Sequence, residues 1–349
     1  MYGYIFQNLK NGGGEPMEKT VEMVFSNAIL HEGAAIFLVE IESLKKIGDF
    51  ENYIYSGQRD GIEVIVRYTH SSHRSYALLQ AESDWVAYLK LNGSCVYEHF
   101  TSINGRYIES AQAVDGTEFY MSCYEKLPGS QVGWRELESD QELARKWGAA
   151  IGKMNKITKT YHHPAGITRP HWDEEELFEI EKIKPEIDEK VIAYRDQVVS
   201  AISNLPKTND NYGLIHSDLH SGNFLVHDGK LNLFDFDDCA YHWFASDIAI
   251  PLYYIVFQRD LHTLEGRDEF AKRFFTGFLE GYQKENDLLV GIIETIPLFL
   301  RLRDIVLLSV LYKKFDFSRL NEQQKNFFEA VKGRVERQEA IINIDALLT

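Results

Sequence analysis

Between Gly213 and Asp238 the chain reads GLIHSDLHSGNFLVHDGKLNLFDFDD, with five aspartates and three histidines set among apolar, strand-like residues. Carboxylates gathered this way bind a cation, act as general acid or base, or form a hydrated turn. Spacing separates the three. His216 precedes Asp218 by two positions, Leu219 follows to anchor the loop, Asn223 comes five after Asp218, and Asp235-Phe236 closes the stretch. In phosphoryl transfer such a set has distinct jobs: one Asp takes the proton of the acceptor hydroxyl, while an Asn and a second Asp hold Mg²⁺ on the nucleotide. A solvated loop accounts for any one of these residues, but not for three polar positions at fixed spacing around one hairpin. A rival chemistry would use His216, Asp218 and His220 as metal ligands of a hydrolase. Two His at i and i+4 suit zinc on a helix, and Ser221-Gly222 with the strand after them argue against a helix.

The hairpin that should bring these groups together is NFLVHDGKLNLF. Asp228-Gly229 fits a type I′ turn, where both central residues need positive φ. Counting outward sets His227 against Lys230 and Phe224 against Leu233, and lays the backbone at Asn223 beside Asp235. A strict ladder would aim those two side chains at opposite faces. Pairing must therefore end before Asn223 if both are to serve one ion, to which each offers a hard oxygen.

A second constellation lies upstream. In SYALLQAESDWVAYLKLNG, Leu78, Trp85, Val86 and Leu89 share one helical face, with Glu82 in its middle. A carboxylate in an apolar stripe is costly unless paired, and the preceding strand GIEVIVRYT offers Arg67. In kinases a strand-borne cation reaches the phosphates and is held by a Glu on the next helix. Lys is typical there; Arg is always charged and grips phosphate oxygens with a fork of donors.

These groups need a scaffold. Residues from about 33 to 125 read as mostly strand, in AIFLVEI, ENYIYSG, IEVIVRYT and EFYMSCYEKL, with Asn104-Gly105 and Asp115-Gly116 as two-residue hairpin signals. One helix, about 75–91, interrupts them and stops at Asn92-Gly93. After Leu127-Pro128-Gly129, helical spacing dominates over about 138–159, 174–203, 246–258, 265–284, 288–313 and 321–346, broken by strands only within Leu214–Asp238. The fold class is α+β.

The motif resembles the family of aminoglycoside phosphotransferases, choline kinases and protein-kinase-like homoserine kinases, and looks most like the bacterial branch of stress-response kinases, where DFDD…WF…D is usual. The resemblance covers about residues 33–345. It implies a bilobal protein-kinase-like fold: a β-rich nucleotide-binding lobe, residues 17–125, and a mainly helical catalytic and substrate-binding lobe, residues 126–349. Carried over by position, Asp218 is the catalytic base, Asn223 and Asp235 are Mg²⁺ ligands, and His216 and Asp247 (in WFASD) brace the loop. Arg67, positioned by Glu82, steadies the phosphates of ATP, and main-chain groups near Glu125 and Leu127 in CYEKLPG meet adenine. The phosphate-covering turn falls on GDFENYIYS, with Gly48 as its only glycine. Two departures stand out: Ser217 replaces the usual Arg, removing a receptor for an activation-loop phosphate, and Asp237 replaces the Gly of DFG.

The implied reaction is ATP-dependent phosphorylation of a hydroxyl on a small molecule. A Ser/Thr protein kinase of the stress-response type is the alternative, and a nucleotide-binding pseudokinase scaffold a third. The acceptor pocket should lie in the helical half, with Trp172, Asp173, Glu174, Glu175, Tyr253, Tyr254, Arg301, Arg303 and Asp304 as candidates. HWDEEE could attract a cationic acceptor or be an ordinary helix start, and Arg303 with Asp304 could be an ion pair or a substrate clamp.

The whole chain sets broader bounds. A net charge of −16 argues against a nucleic-acid partner. Cys95, Cys123 and Cys239 form no CxxC pair, which fits free thiols in a reducing cytoplasm. No apolar run approaches the roughly 20 residues that span a bilayer. NGGGEP before Met17 suggests that the working chain begins near Met17. Oligomeric state has no signature here.

Overall fold

The computed structural model describes residues 17–49, 51–133, 136–137, 140–174, 176–257, 264–287 and 291–343. The expectation about a start near Met17 concerns residues 1–16, which lie outside the described set, as does Glu175. The architecture is α+β, with an antiparallel sheet in the N-terminal part and helices in the C-terminal part. The chain divides into two compact units.

The first unit runs to Ser130 and adds residues 161–169 and 225–237. Two short helices open it, α1 (Lys19–Glu22) and α2 (Asn27–Ile36), the latter capped by Ser26, whose side chain accepts from Ile29 N. The sheet follows: β1 (Lys45–Asp49), β2 (Tyr53–Arg59), β3 (Ile62–His70), helix α3 (Tyr76–Leu91), then β4 (His99–Phe100), β5 (Ile108–Gln112) and β6 (Glu118–Glu125). Strand order is β1-β2-β3-β6, with β4 and β5 both on the far edge of β6. Val64 through His70 are all buried, the mark of a strand covered on both faces. Period-two alternation sends Val64, Val66 and Tyr68 into an apolar cluster with Ile29, Phe37, Phe119 and Met121. Arg67 belongs to the opposite face, where α3 lies.

Several sequence expectations need correction here. AIFLVEI is no strand: Ala35 and Ile36 end α2, and the rest is connector and a 3₁₀ turn at Ile41–Ser43. Its apolar run packs from a helix end and loop, with Phe37 and Val39 buried. Asn104-Gly105 joins no hairpin, because β4 and β5 lie end to end along β6 and the turn is an excursion between them. Asp115-Gly116 does close the β5–β6 hairpin, but only Gly116 has positive φ, so the turn is not type I′. A two-residue turn with positive φ at both positions is found instead at Asp60-Gly61, closing β2–β3 at Arg59↔Ile62.

The second unit comprises residues 131–160, 170–224 and 238–349. Its helices are α4 (Gln141–Thr158), α5 (Ile180–Ile183), α6 (Glu189–Ser203), α7 (Phe244–Phe257), α8 (Leu264–Glu285), α9 (Ile292–Lys314) and α10 (Glu322–Arg337). A helix over 174–203 does not form. Two 3₁₀ turns and α5 precede a break at Pro185, and α6 starts only after its Asp188 cap. Strand β7 (Tyr212–Ile215) pairs with β10 (Ala240–Trp243), a strand the sequence reading missed. Helices α4 and α8 approach at backbone distance: a Cβ on Gly148 would meet Phe278 O at 1.8 Å, and one on Gly281 would meet Arg145 O at 1.8 Å.

In chain order, β7 and β10 are separated by the hairpin β8 (Phe224–His227) and β9 (Lys230–Leu233). Its turn has φ of 47° at Asp228 and 73° at Gly229, the conformation expected of type I′. The strands begin at Phe224 and end at Leu233, so pairing stops before Asn223.

Candidate active site

In the first unit, Arg67 and Glu82 meet as a buried, two-point pair: Nη1 donates to Oε1 at 2.9 Å and Nη2 to Oε2 at 3.0 Å. Glu82 is fully buried, and Arg67 is 4 % exposed. Burial works against the guanidinium charge, and Glu82 more than offsets it. The third guanidinium nitrogen, Arg67 Nε, is buried without a hydrogen-bond partner among the described residues. Asp237 stands at the rim of this pair, its Oδ1 4.0 Å from Arg67 Nη1 and its Oδ2 2.8 Å from Arg74 Nη2. Burial opposes ionisation of Asp237, but Arg74, then Arg67 and Arg169, hold its carboxyl low.

Two further contacts tie the segment after β9 to helix α3. Arg169 donates to the Leu78 carbonyl at 3.1 Å and to the Asp237 carbonyl at 2.6 Å. Phe236 is fully buried and edge-on to Trp85, ring centroids 5.5 Å apart. Asp235 itself adopts φ of 66°, a left-handed conformation uncommon outside glycine. Neither Arg74 nor Arg169 was singled out in the sequence. Arg74 carried a weak signal, lying one residue before the Ser75 cap of α3; Arg169 carried none.

The connector after β6 also lies in this unit. Glu125 N donates to Glu98 O at 2.8 Å, and its carboxylate accepts from Lys90 Nζ at 3.1 Å. Among the described residues, Leu127 makes no main-chain hydrogen bond.

Behind Arg67, His99 is buried with neither ring nitrogen hydrogen-bonded among the described residues. Burial, helped by the Arg67 charge, lowers its pKa to about 3. The native state thus binds fewer protons than the unfolded chain between about pH 6.5 and that value, so stability present above pH 6.5 is lost on acidification. His99→Phe removes this liability. Melting temperatures followed from pH 7.5 to pH 5 should fall less in the variant than in the wild type; equal falls would assign the acid sensitivity elsewhere.

In the second unit, β7 leads into the loop that carries Asp218. Asp247, in the first turn of α7, is fully buried and receives Ser217 N on Oδ1 (3.0 Å) and His216 N on Oδ2 (3.2 Å). Burial pushes its carboxyl up to about 7 against the pull of those two donors. Asn155 Nδ2 reaches Oδ2 at 3.5 Å and is steadied by the Tyr282 hydroxyl at 3.0 Å. Ser217 takes φ of 66°, which turns the chain back on itself before Asp218.

Histidines shape the rest of the loop. His216 Nδ1 accepts from Asp218 N at 3.4 Å, and His220 Nδ1 accepts from Gly222 N at 3.0 Å. Each must therefore carry its proton on Nε2 when neutral, and the Nε2 of His220 lies 3.4 Å from Asp218 Oδ2. These bonds engage both rings in the turn. Asn223 Nδ2 donates to the Asp218 carbonyl at 2.9 Å, leaving its amide oxygen without a donor among the described residues.

Asp218 is 1 % exposed, with Oδ1 receiving Nη2 of Arg303. Burial disfavours its charge, yet His220 and Arg303 help hold the carboxyl well below the usual carboxylate range. Of the two roles left open for Arg303 with Asp304, the mutual ion pair does not form. Neighbours on a helix point about 100° apart: Asp304 instead accepts from Arg334 of α10 (Nε to Oδ2, 3.1 Å) and from the Tyr253 hydroxyl at 2.7 Å. Trp172 is buried and stacked on His242 at 5.3 Å, which makes it packing, while Asp173 and Glu174 sit exposed on a 3₁₀ turn.

Comparison with known proteins bears on this chemistry. Residues 43–288 match the family model described as the phosphotransferase enzyme family. The amicoumacin kinase of Bacillus subtilis (strain 168) is 33 % identical over 332 residues, covering 94 % of this chain and 98 % of that protein. An amicoumacin kinase solved in complex with AMP-PNP, Ca²⁺ and Ami superposes with a TM-score of 0.88 at 31 % identity, over 95 % of this chain and all of the other. A microcompartment-associated aminopropanol kinase, 18 % identical over 89 % of this chain and 95 % of its own, shares the fold with a TM-score of 0.71.

Proposed function

The chain belongs to the phosphotransferase enzyme family, as an ATP-dependent kinase of a small-molecule hydroxyl, and from that premise we propose its acceptor and the work of each residue. Asp218 orients the acceptor hydroxyl and takes its proton as the oxygen attacks the γ-phosphorus and the bond to the bridging oxygen of ADP breaks. Base catalysis of this kind needs little intrinsic basicity, since the proton leaves late in a loose transition state. The low-lying carboxyl of Asp218 suits that demand.

Arg67, fixed by Glu82, contributes a charge to the phosphates, and its unpartnered Nε supports that reading. The Leu127 main chain, with Glu125 before it, is suited to adenine. His216 and Asp247 brace the loop. Asn223 and Asp235 supply an amide oxygen and a carboxylate, a donor set that fits Mg²⁺. When bound, the cation would neutralise charge developing on the phosphates. On this reading residues 17–125 form the nucleotide-binding lobe and residues 126–349 the catalytic lobe. The enzyme works in the cytoplasm, where cysteines outside disulfides stay reduced.

For the acceptor we favour amicoumacin. The single observation that carries this choice is the 33 % identity maintained over nearly the full length of both chains. Excess negative charge, −16 overall, is compatible with an acceptor that bears an amine. Incubation with ATP and Mg²⁺ should give stoichiometric ADP and an amicoumacin product heavier by one phosphoryl group. Turnover of other hydroxylated amines, amino acids or sugars with none of amicoumacin would overturn the acceptor and leave the reaction class standing.

A further inference from the structure

The contact between Arg303 and Asp218 joins residues 85 positions apart in sequence. Arg303 comes from the middle of α9 and is 8 % exposed. The same Nη2 that meets Asp218 Oδ1 also donates to the Tyr254 hydroxyl at 2.6 Å, and the guanidinium lies 5.0 Å from the Tyr254 ring centroid. Tyr254 is itself buried in α7, edge-on to His220 at 5.3 Å. Arg303 is thus held by a hydroxyl, a π face and a carboxylate, and Tyr254 touches both side chains that flank Asp218.

The helix that presents Arg303 is fixed as well. One residue on, Asp304 is locked to Arg334 of α10 and to Tyr253, so adjacent residues of α9 make adjacent contacts with α7: Asp304 with Tyr253, Arg303 with Tyr254. A guanidinium gripped this way has little rotamer freedom left, and it meets one oxygen of the carboxylate only. The other oxygen, Oδ2, faces Nε2 of His220.

We propose that Arg303 is a positioning residue for the catalytic carboxylate: by holding Oδ1 of Asp218 it fixes the plane of the carboxyl group and assigns the proton of the acceptor hydroxyl to Oδ2. This rests on the reading of Asp218 as the base. Arg303 acts in the chemical step through Asp218, not on the nucleotide. Misplacement of a reacting group by about 1 Å can cost on the order of a hundredfold in rate, so its loss should appear in kcat.

The test is a cycle of Arg303→Met and Arg303→Lys, each alone and in the Asp218→Asn background, with kcat and the KM for ATP measured at saturating acceptor. Arg303→Met should lower kcat at least about tenfold with the KM for ATP within about twofold. Arg303→Lys, which keeps the charge, should recover part of the rate. With Asp218→Asn already present, Arg303→Met should cost no more than a further twofold or so. Normal kcat in Arg303→Met, or an undiminished loss in the Asp218→Asn background, would overturn the inference. Should Asp218→Asn alone keep normal turnover, the reading of the base fails instead. ATP·Mg²⁺-dependent thermal shift checks folding; if Arg303→Met does not fold, Arg303→Lys decides by the same two comparisons.

Discussion

Asp218→Asn should lower kcat about a thousandfold while ATP·Mg²⁺ still binds. General-base removal generally costs 10²- to 10⁴-fold, and Asn keeps the shape of Asp without accepting a proton. Nucleotide binding should survive because the groups assigned to the metal, Asn223 and Asp235, are untouched. The Asn223 bond to the main-chain carbonyl of residue 218 is independent of that side chain. Stability should also drop. The buried Arg303 guanidinium loses its counter-charge, and stripping one partner from a buried pair typically costs about 3–5 kcal/mol. An Asn carbonyl can still accept from Arg303, which places the loss at the low end. ADP release and product mass report the rate, and thermal shift with and without ATP·Mg²⁺ reports binding and stability. Normal turnover would remove Asp218 from the role of base, and loss of nucleotide binding would move it to the phosphate side.

That prediction can be drawn from the sequence because the motif is local. Asn223 follows Asp218 by five positions, and a two-residue turn sets the strands beyond. Short-range geometry fixes such a set almost irrespective of the surroundings. Arg67 and Glu82 were legible for a related reason: a strand and the next helix leave few ways to bury a lone carboxylate. Arg303 could be noticed but not placed, since nothing across a separation of 85 positions says which side chain a mid-helix arginine will meet. Arg169 is the same case, reaching Leu78 and the Asp237 carbonyl from a connector.

The misread elements failed for physical reasons of their own. AIFLVEI has the composition of a strand, yet Ala35 and Ile36 finish a helix capped upstream by Ser26, and burial of Phe37 and Val39 satisfies the rest of the run. The span 174–203 has helical periodicity throughout, but Pro185 blocks continuity and Asp188 starts a new helix. Strand β10 is four residues long and owes its existence to β7, a partner far upstream. Nor does the motif by itself identify a branch of the family.

The Arg67–Glu82 pair allows stability and catalysis to be pulled apart. Arg67→Met alone leaves Glu82, fully buried, without its counter-charge, and should cost about 3–5 kcal/mol. Asp237 would suffer less, because Arg74 remains 2.8 Å from its other oxygen. Pairing Arg67→Met with Glu82→Leu removes both charges and leaves apolar side chains at two buried positions. Replacing a buried ion pair by packed apolar residues is often neutral or stabilising, so the double variant should melt close to the wild type. Activity should not return with stability. If Arg67 steadies the phosphates, the double variant loses that contact as completely as the single one, and kcat/KM for ATP should stay down by about a hundredfold or more, of the order expected for removal of one preorganised charge contact. A purely structural pair gives the opposite result, with folding and turnover recovering together. Melting temperature and kcat/KM measured on the same three proteins separate the two accounts, because only a phosphate-binding arginine makes a stable protein that remains inactive.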